Sequence, residues 1–159
     1  VKLVVNASPL ILLTAAEQLS LLPALADEIV VPGAVFRELK AGESRDLATT
    51  SIRSAKWAKV VESPPASPSI AAWDLGAGET AVLSWAERQT GFTCVLDDRA
   101  ARNCARAVGL PYVGTLGLVL AAKEAGLLAT ARPVLERMSS AGYFLAGKIL
   151  EQALRDLGE

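Results

Sequence analysis

Five side chains could do chemistry together although they lie far apart in this sequence: Asn6, Glu38, Glu79 and the doublet Asp97-Asp98. Histidine is absent, so Ser-His-Asp triads, Cys-His nucleophile pairs and His-rich zinc sites are unavailable. Catalysis would have to come from carboxylates, from a metal held by oxygens, or from Lys, Tyr and Ser. Carboxylates about 6 Å apart repel by roughly 3 kcal/mol per pair at an effective dielectric of about 20. A cluster of them is tolerated when protons or a cation compensate the charge. Hard divalent ions such as Mg²⁺ or Mn²⁺ take oxygen ligands and keep several waters.

Each acid also has an ordinary explanation. Asp97 or Asp98 can cap the helix that follows, because a carboxylate oxygen accepts the free N–H groups of a first turn. Glu79 stands in a capping-box-like position after Gly76. Glu38 falls near a helix C-terminus, where the dipole disfavours negative charge, and a neighbouring Arg or Lys could pair with it. Yet Glu38 shares a face with Ala34 and Val35, and Glu79 a stripe with Val82, Leu83 and Ala86. Both charges therefore sit on or beside a face that should bury, where an unpaired carboxylate is costly.

The elements that must position these residues alternate between strand and helix. Lys2 to Val5, Glu28 to Val31, Phe92 to Leu96 and Leu110 to Val113 read as strands, with Trp57 to Glu62 short or extended. Helices are expected over Leu10 to Ala15 (opened by Ser8-Pro9), Glu17 to Leu25, Pro32 to Lys40, Arg45 to Ala55, Leu75 to Gln89, Ala100 to Val108, Leu116 to Ala125, Arg132 to Ala141 and Ala146 to Leu157. Ala41-Gly42-Glu43-Ser44 is a helix break, and Ser63 to Pro68 is the clearest loop. The pattern predicts an α/β fold: a three-layer α/β/α arrangement around a short, mainly parallel sheet of four or five strands, closed by a C-terminal helical hairpin. In such sheets ligands bind at the carboxyl ends of the strands, where Asn6 and Asp97-Asp98 fall.

With 159 residues, 52% hydrophobic and 21% charged, one globular domain over 1–159 is expected. The formal net charge of −1 argues against a coat for nucleic acid, but leaves room for a local basic groove. No apolar run suits a membrane span and no signal peptide is visible. Cys94 and Cys104 read as small core hydrophobes of a reducing compartment. A cytoplasmic protein is therefore expected.

Five segments occur in an order that resembles PIN-domain proteins. They are Val4 to Ile11, Val31 to Leu39, Leu75 to Leu83, Val95 to Arg102 and Gly114 to Lys123. The chain is also similar to the VapC-type toxins of toxin–antitoxin pairs. The resemblance implies a Mg²⁺- or Mn²⁺-dependent ribonuclease that cuts single-stranded RNA to leave a 5′-phosphate and a 3′-hydroxyl. It implies Glu38, Glu79 and Asp98 as catalytic acids, with Asn6, Glu38, Glu79, Asp97 and Asp98 as the metal-ligand set. Ser8 matches a small hydroxyl residue of the site. Asn6 departs from the pattern, which usually has aspartate there. An amide oxygen can ligate a hard cation but brings no charge, so the alternative is a weakened or inactive module that binds protein or RNA.

Arg99, Arg102 and Arg106 form one helical stripe with Asn103, read either as a phosphate track for single-stranded RNA or as a solvated face. Trp57, Trp73 and Trp85 could stack bases but fit a core or interface better. The resemblance further implies a homodimer, with the apolar helices Leu10 to Leu13 and Leu116 to Leu120 as its face, and an antitoxin protein as partner.

Overall fold

The computed structural model describes residues 1–41, 46–143 and 147–159. In chain order the elements are β1 (Lys2–Val5), α1 (Ala7–Ala15), α2 (Leu21–Leu25), β2 (Glu28–Pro32), α3 (Gly33–Lys40), α4 (Asp46–Ser54) and β3 (Ala58–Val61). Next come α5 (Pro68–Ala71), α6 (Ala77–Arg88), β4 (Phe92–Val95), α7 (Arg99–Ala107) and β5 (Tyr112–Val113). The chain closes with α8 (Thr115–Glu124), α9 (Arg132–Ser140) and α10 (Gly147–Asp156).

The five strands form one sheet in the order β3-β2-β1-β4-β5, and every pairing is parallel. The three central strands are mostly apolar because both faces are covered. Val4, Val5, Ile29, Val30, Val31, Cys94 and Val95 are all buried. Helical crossovers send the chain from β1 outward to β3, then back across the sheet to β4. Helix α6 packs on β1, β2 and β4, while α1 packs against α3, α4, α8 and α9. This is the three-layer α/β/α architecture, with helices enclosing a parallel sheet.

Three local expectations need correction. Helix does not run from Glu17 to Leu25. Glu17 has φ of 58°, a left-handed turn that ends α1, and helix resumes only at Leu21. The loop from Ser63 ends in a short helix, α5, opened by Pro68, which loses nothing at a first helical position. Leu10, Leu12 and Leu13 are buried within the chain itself, so that half of the expected dimer face is core. Leu116 and Leu120 instead line a groove with Ile149 of α10. The break at Gly42-Glu43-Ser44, the helix start at Arg45 and the start of the last helix at Ala146 lie outside the described residues.

The C-terminal hairpin is tied down by Glu159. Helix α9 has no capping side chain of its own at Ala131. The Glu159 carboxylate supplies one, accepting the N–H of Ala131 at 2.7 Å and of Arg132 at 3.0 Å. These bonds, with Lys123 beside them, hold the Glu159 pKa below the usual glutamate value. A depressed folded pKa gives stability that is full above the unfolded value, about 4.3, and lost as pH falls through the folded one. Glu159→Gln should therefore lower the urea midpoint at neutral pH and flatten its fall below about pH 4.

Candidate active site

The sheet order makes β1 the central strand, flanked by β2 and β4. The chain leaves β1 toward β2 and leaves β4 toward β5, on the opposite side, so the connections after these strands diverge and open a crevice. Asn6 follows β1 directly, and its N–H bonds to the Val95 carbonyl at 3.2 Å. Asp97 and Asp98 follow β4. A cleft of about 520 Å³ opens here, lined among others by Asn6, Ser8, Glu38, Glu79, Asp97 and Asp98. Every acid singled out in the sequence borders this one cleft.

Helix α6 brings two of them in by its N-terminus. Its first-turn N–H groups have no intrahelical partners, and Gly76 at the cap position offers no side chain. Glu38 of α3 fills the gap: its Oε1 accepts the Gly78 N–H at 3.0 Å. A carboxylate at the C-terminal end of its own helix is thus stabilised by the N-terminus of another. Glu79 lies in the first turn of α6. Its Oε1 accepts from the Asn6 amide nitrogen at 3.0 Å, across 73 residues of sequence, in place of the capping box that its position suggested.

Asn6 stands at the cap position of α1 but makes no cap bond. Its amide nitrogen goes to Glu79, and its Oδ1 is buried without a hydrogen-bond partner among the described residues. A β-carbon on Gly78 would lie 2.9 Å from that Oδ1 and 2.7 Å from Glu38 Oε2. The missing side chain of Gly78 therefore keeps open the space on which these two oxygens converge.

The aspartates divide their work. Asp98 caps α7, its Oδ2 accepting the Ala101 N–H at 2.8 Å. Asp97 joins three elements. It accepts from the Thr115 N–H at 2.8 Å and hydroxyl at 2.6 Å, at the start of α8, and from Ser8 Oγ at 3.4 Å. Glu79, Asp97 and Asp98 have no Lys or Arg ion pair among the described residues. Nor, among those residues, do three acidic side chains stand close enough to hold a metal by themselves.

Sequence reasoning missed three contributors. Gly78 and Thr115 are legible in the sequence only as parts of helix starts. Tyr143 had no signal. It reaches the cleft from the end of α9, after Gly142 with φ of 98°. Burial pushes its phenol pKa up, and the Asp97 charge adds to the shift. None of the tryptophans lines the cleft; Trp85 packs edge-on against Phe92 in the layer below.

The DUF3368 family model, described as a PIN domain, matches residues 2–159. The chain belongs to the PIN-domain family. No curated relative matches the chain by sequence. The PIN domain is a nuclease-type fold, and its members generally use divalent metals. Among the described residues of this PIN domain, no helix is long and apolar enough to cross a membrane.

The oxygens of this PIN domain suit such an ion. The donors are all hard oxygens, Asn6 Oδ1 is buried with no partner, and Gly78 leaves room beside it. Gly78→Ala fills that room. It should cost about 1–3 kcal/mol in chemical denaturation, as overpacking does. Gly147→Ala is the matched comparison, because a β-carbon there meets nothing within 4 Å. It should leave the denaturation midpoint unchanged or higher.

Proposed function

We propose that this PIN domain is a divalent-metal-dependent ribonuclease that hydrolyses phosphodiester bonds of single-stranded RNA. The observation that carries this reading is the buried, unpartnered Oδ1 of Asn6 facing Glu38 across Gly78. A polar atom buried without a partner is costly, and an oxygen-seeking cation would relieve that cost. Asn6, Glu38, Glu79 and Asp98 would hold Mg²⁺ or Mn²⁺. Asp98 is preferred to Asp97 because its Oδ1 makes no bond to the described residues, whereas both oxygens of Asp97 are engaged. When bound, the ion would acidify a water and offset the charge developing on the phosphate.

The protein's own groups prepare the site. Gly78 N–H and the Asn6 amide fix one oxygen each of Glu38 and Glu79, so those carboxylates are oriented before substrate arrives. Asp97 holds the start of α8 against the cleft, and Ser8 stands beside it as a substrate contact. The product would carry a 5′-phosphate and the released strand a 3′-hydroxyl. In the cell this reading makes the chain the toxin of a toxin–antitoxin pair, by its similarity to VapC-type proteins, with a small antitoxin protein as partner and a homodimer as the working form.

Glu79→Ala and Asp98→Asn should each abolish Mn²⁺-dependent cleavage of single-stranded RNA and weaken Mn²⁺ binding in calorimetry, with the circular dichroism spectrum retained. Undiminished cleavage in both variants removes the reading. The neutral Asn6 favours a second one, a PIN module with weakened or no catalysis that acts in protein or RNA binding. Asn6→Asp separates the two. It adds the missing charge and should tighten Mn²⁺ binding by about tenfold or more. Cleavage gained only in that variant would make the natural chain the binding module.

A further inference from the structure

Beside the acidic cleft lies a second concavity of opposite charge. About 290 Å³ in volume, it is lined by Arg99, Arg102, Asn103, Arg106 and Tyr112. Three guanidinium groups meet there, and none has a carboxylate partner among the described residues. The chain as a whole carries a net charge of −1, so this gathering is local. Acids were available for pairing elsewhere: Lys2, Lys59, Lys123, Arg132 and Arg137 all have one.

The concavity is also built. Arg106 donates to the Tyr112 hydroxyl at 2.7 Å and to Asn103 Oδ1 at 3.3 Å, and its guanidinium lies 5.8 Å from the Tyr112 ring centre. One guanidinium is thus held from two directions, with N–H groups left over. Arg102 is half-buried and Arg99 exposed, so the three present a wall and a rim. Planar guanidiniums without carboxylates suit the paired oxygens of a phosphodiester.

The groove adjoins the cleft. Arg99 follows Asp98 directly in sequence, and Arg102 Nη1 and Asp97 Oδ1 both approach Gly114, at 3.9 and 3.3 Å from the position of its missing β-carbon. Tyr143, on the cleft wall, senses both the Asp97 and the Arg102 charge.

We propose that the α7 groove is a separate phosphate seat for the same strand, holding the backbone phosphate next along the RNA from the bond in the acidic cleft. The inference rests on the single-strand reading of that cleft and adds to it a requirement on length. A strand must extend past the cut to gain the groove. A di- or trinucleotide ending at the cleft would bind without it.

The test is binding in EDTA, so that no cleavage is needed. A short fluorescein-labelled single-stranded RNA is titrated with the whole chain over a range of salt. Arg102→Ala/Arg106→Ala should weaken binding by about tenfold and flatten the plot of log K against log salt by about 0.7, the slope of the one phosphate no longer neutralised. Lys59→Ala/Arg88→Ala removes the same charge elsewhere and should change affinity by less than about twofold. Equal losses in the two double variants, or none in the groove variant, would overturn the seat. So would displacement of the RNA by polyglutamate at equal charge concentration, which would assign the groove to an acidic polypeptide. Failure here with intact Mn²⁺-dependent cleavage leaves the nuclease reading standing. Groove-dependent binding without cleavage supports the seat and removes the nuclease.

Discussion

The hydrogen bond from Gly78 N–H to Glu38 does two jobs. It satisfies a bare helix start, and it lets a carboxylate sit at the interior meeting point of α3 and α6. The two helices pack closely, and Leu39, next to Glu38, is fully buried. Glu38 itself is half-buried and lines the cleft. The N-terminal field of α6 makes its position tolerable, and only glycine at 78 leaves space for it. Four separate features of the chain, the α3 register, the bare cap, the glycine and the leucine, are held together by this one contact.

Asn6 shows a second compromise. In a pit that already contains several acids, an amide supplies both signs at once. Its nitrogen neutralises part of Glu79 by donating to it, and its oxygen remains directed inward. An aspartate there would have no hydrogen to donate at neutral pH and would add repulsion. The chain therefore assembles its acidic cleft from neutral donors: the Asn6 amide, two hydroxyls and three helix N–H groups. Such a site is less charged than one with an aspartate at position 6 and needs less compensation when empty.

Much of the architecture was legible because parallel strands buried on both faces are largely apolar runs, as Leu3 to Val5 and Phe92 to Leu96 are. Glu38 and Glu79 stood out because a charge on a burying face violates the helical pattern. Their partners were not legible. Gly78 and Asn6 are distant in sequence from the acids they serve, and spacing cannot reveal a bond across 73 residues. Local rules also pointed to the wrong partner: Glu79 was placed for a capping box and bonds to Asn6 instead. The doublet left open which aspartate caps α7, since either can reach. The backbone decided it, with Asp98 at the cap and Asp97 turned toward α8. Glu17 misled for a simpler reason. Nothing in a glutamate signals a left-handed turn, which glycine or asparagine usually marks.

Asp97 has a consequence for how the molecule comes into being. Its three bonds go to Ser8, near the start of the chain, and to Thr115, well past the middle. The rim of the pit is completed later still, by Gly142 and Tyr143. A polypeptide emerging from the ribosome thus carries all its acids long before it carries the walls that enclose them. Whatever the pit does, it is a property of the finished chain, and a growing one is spared it.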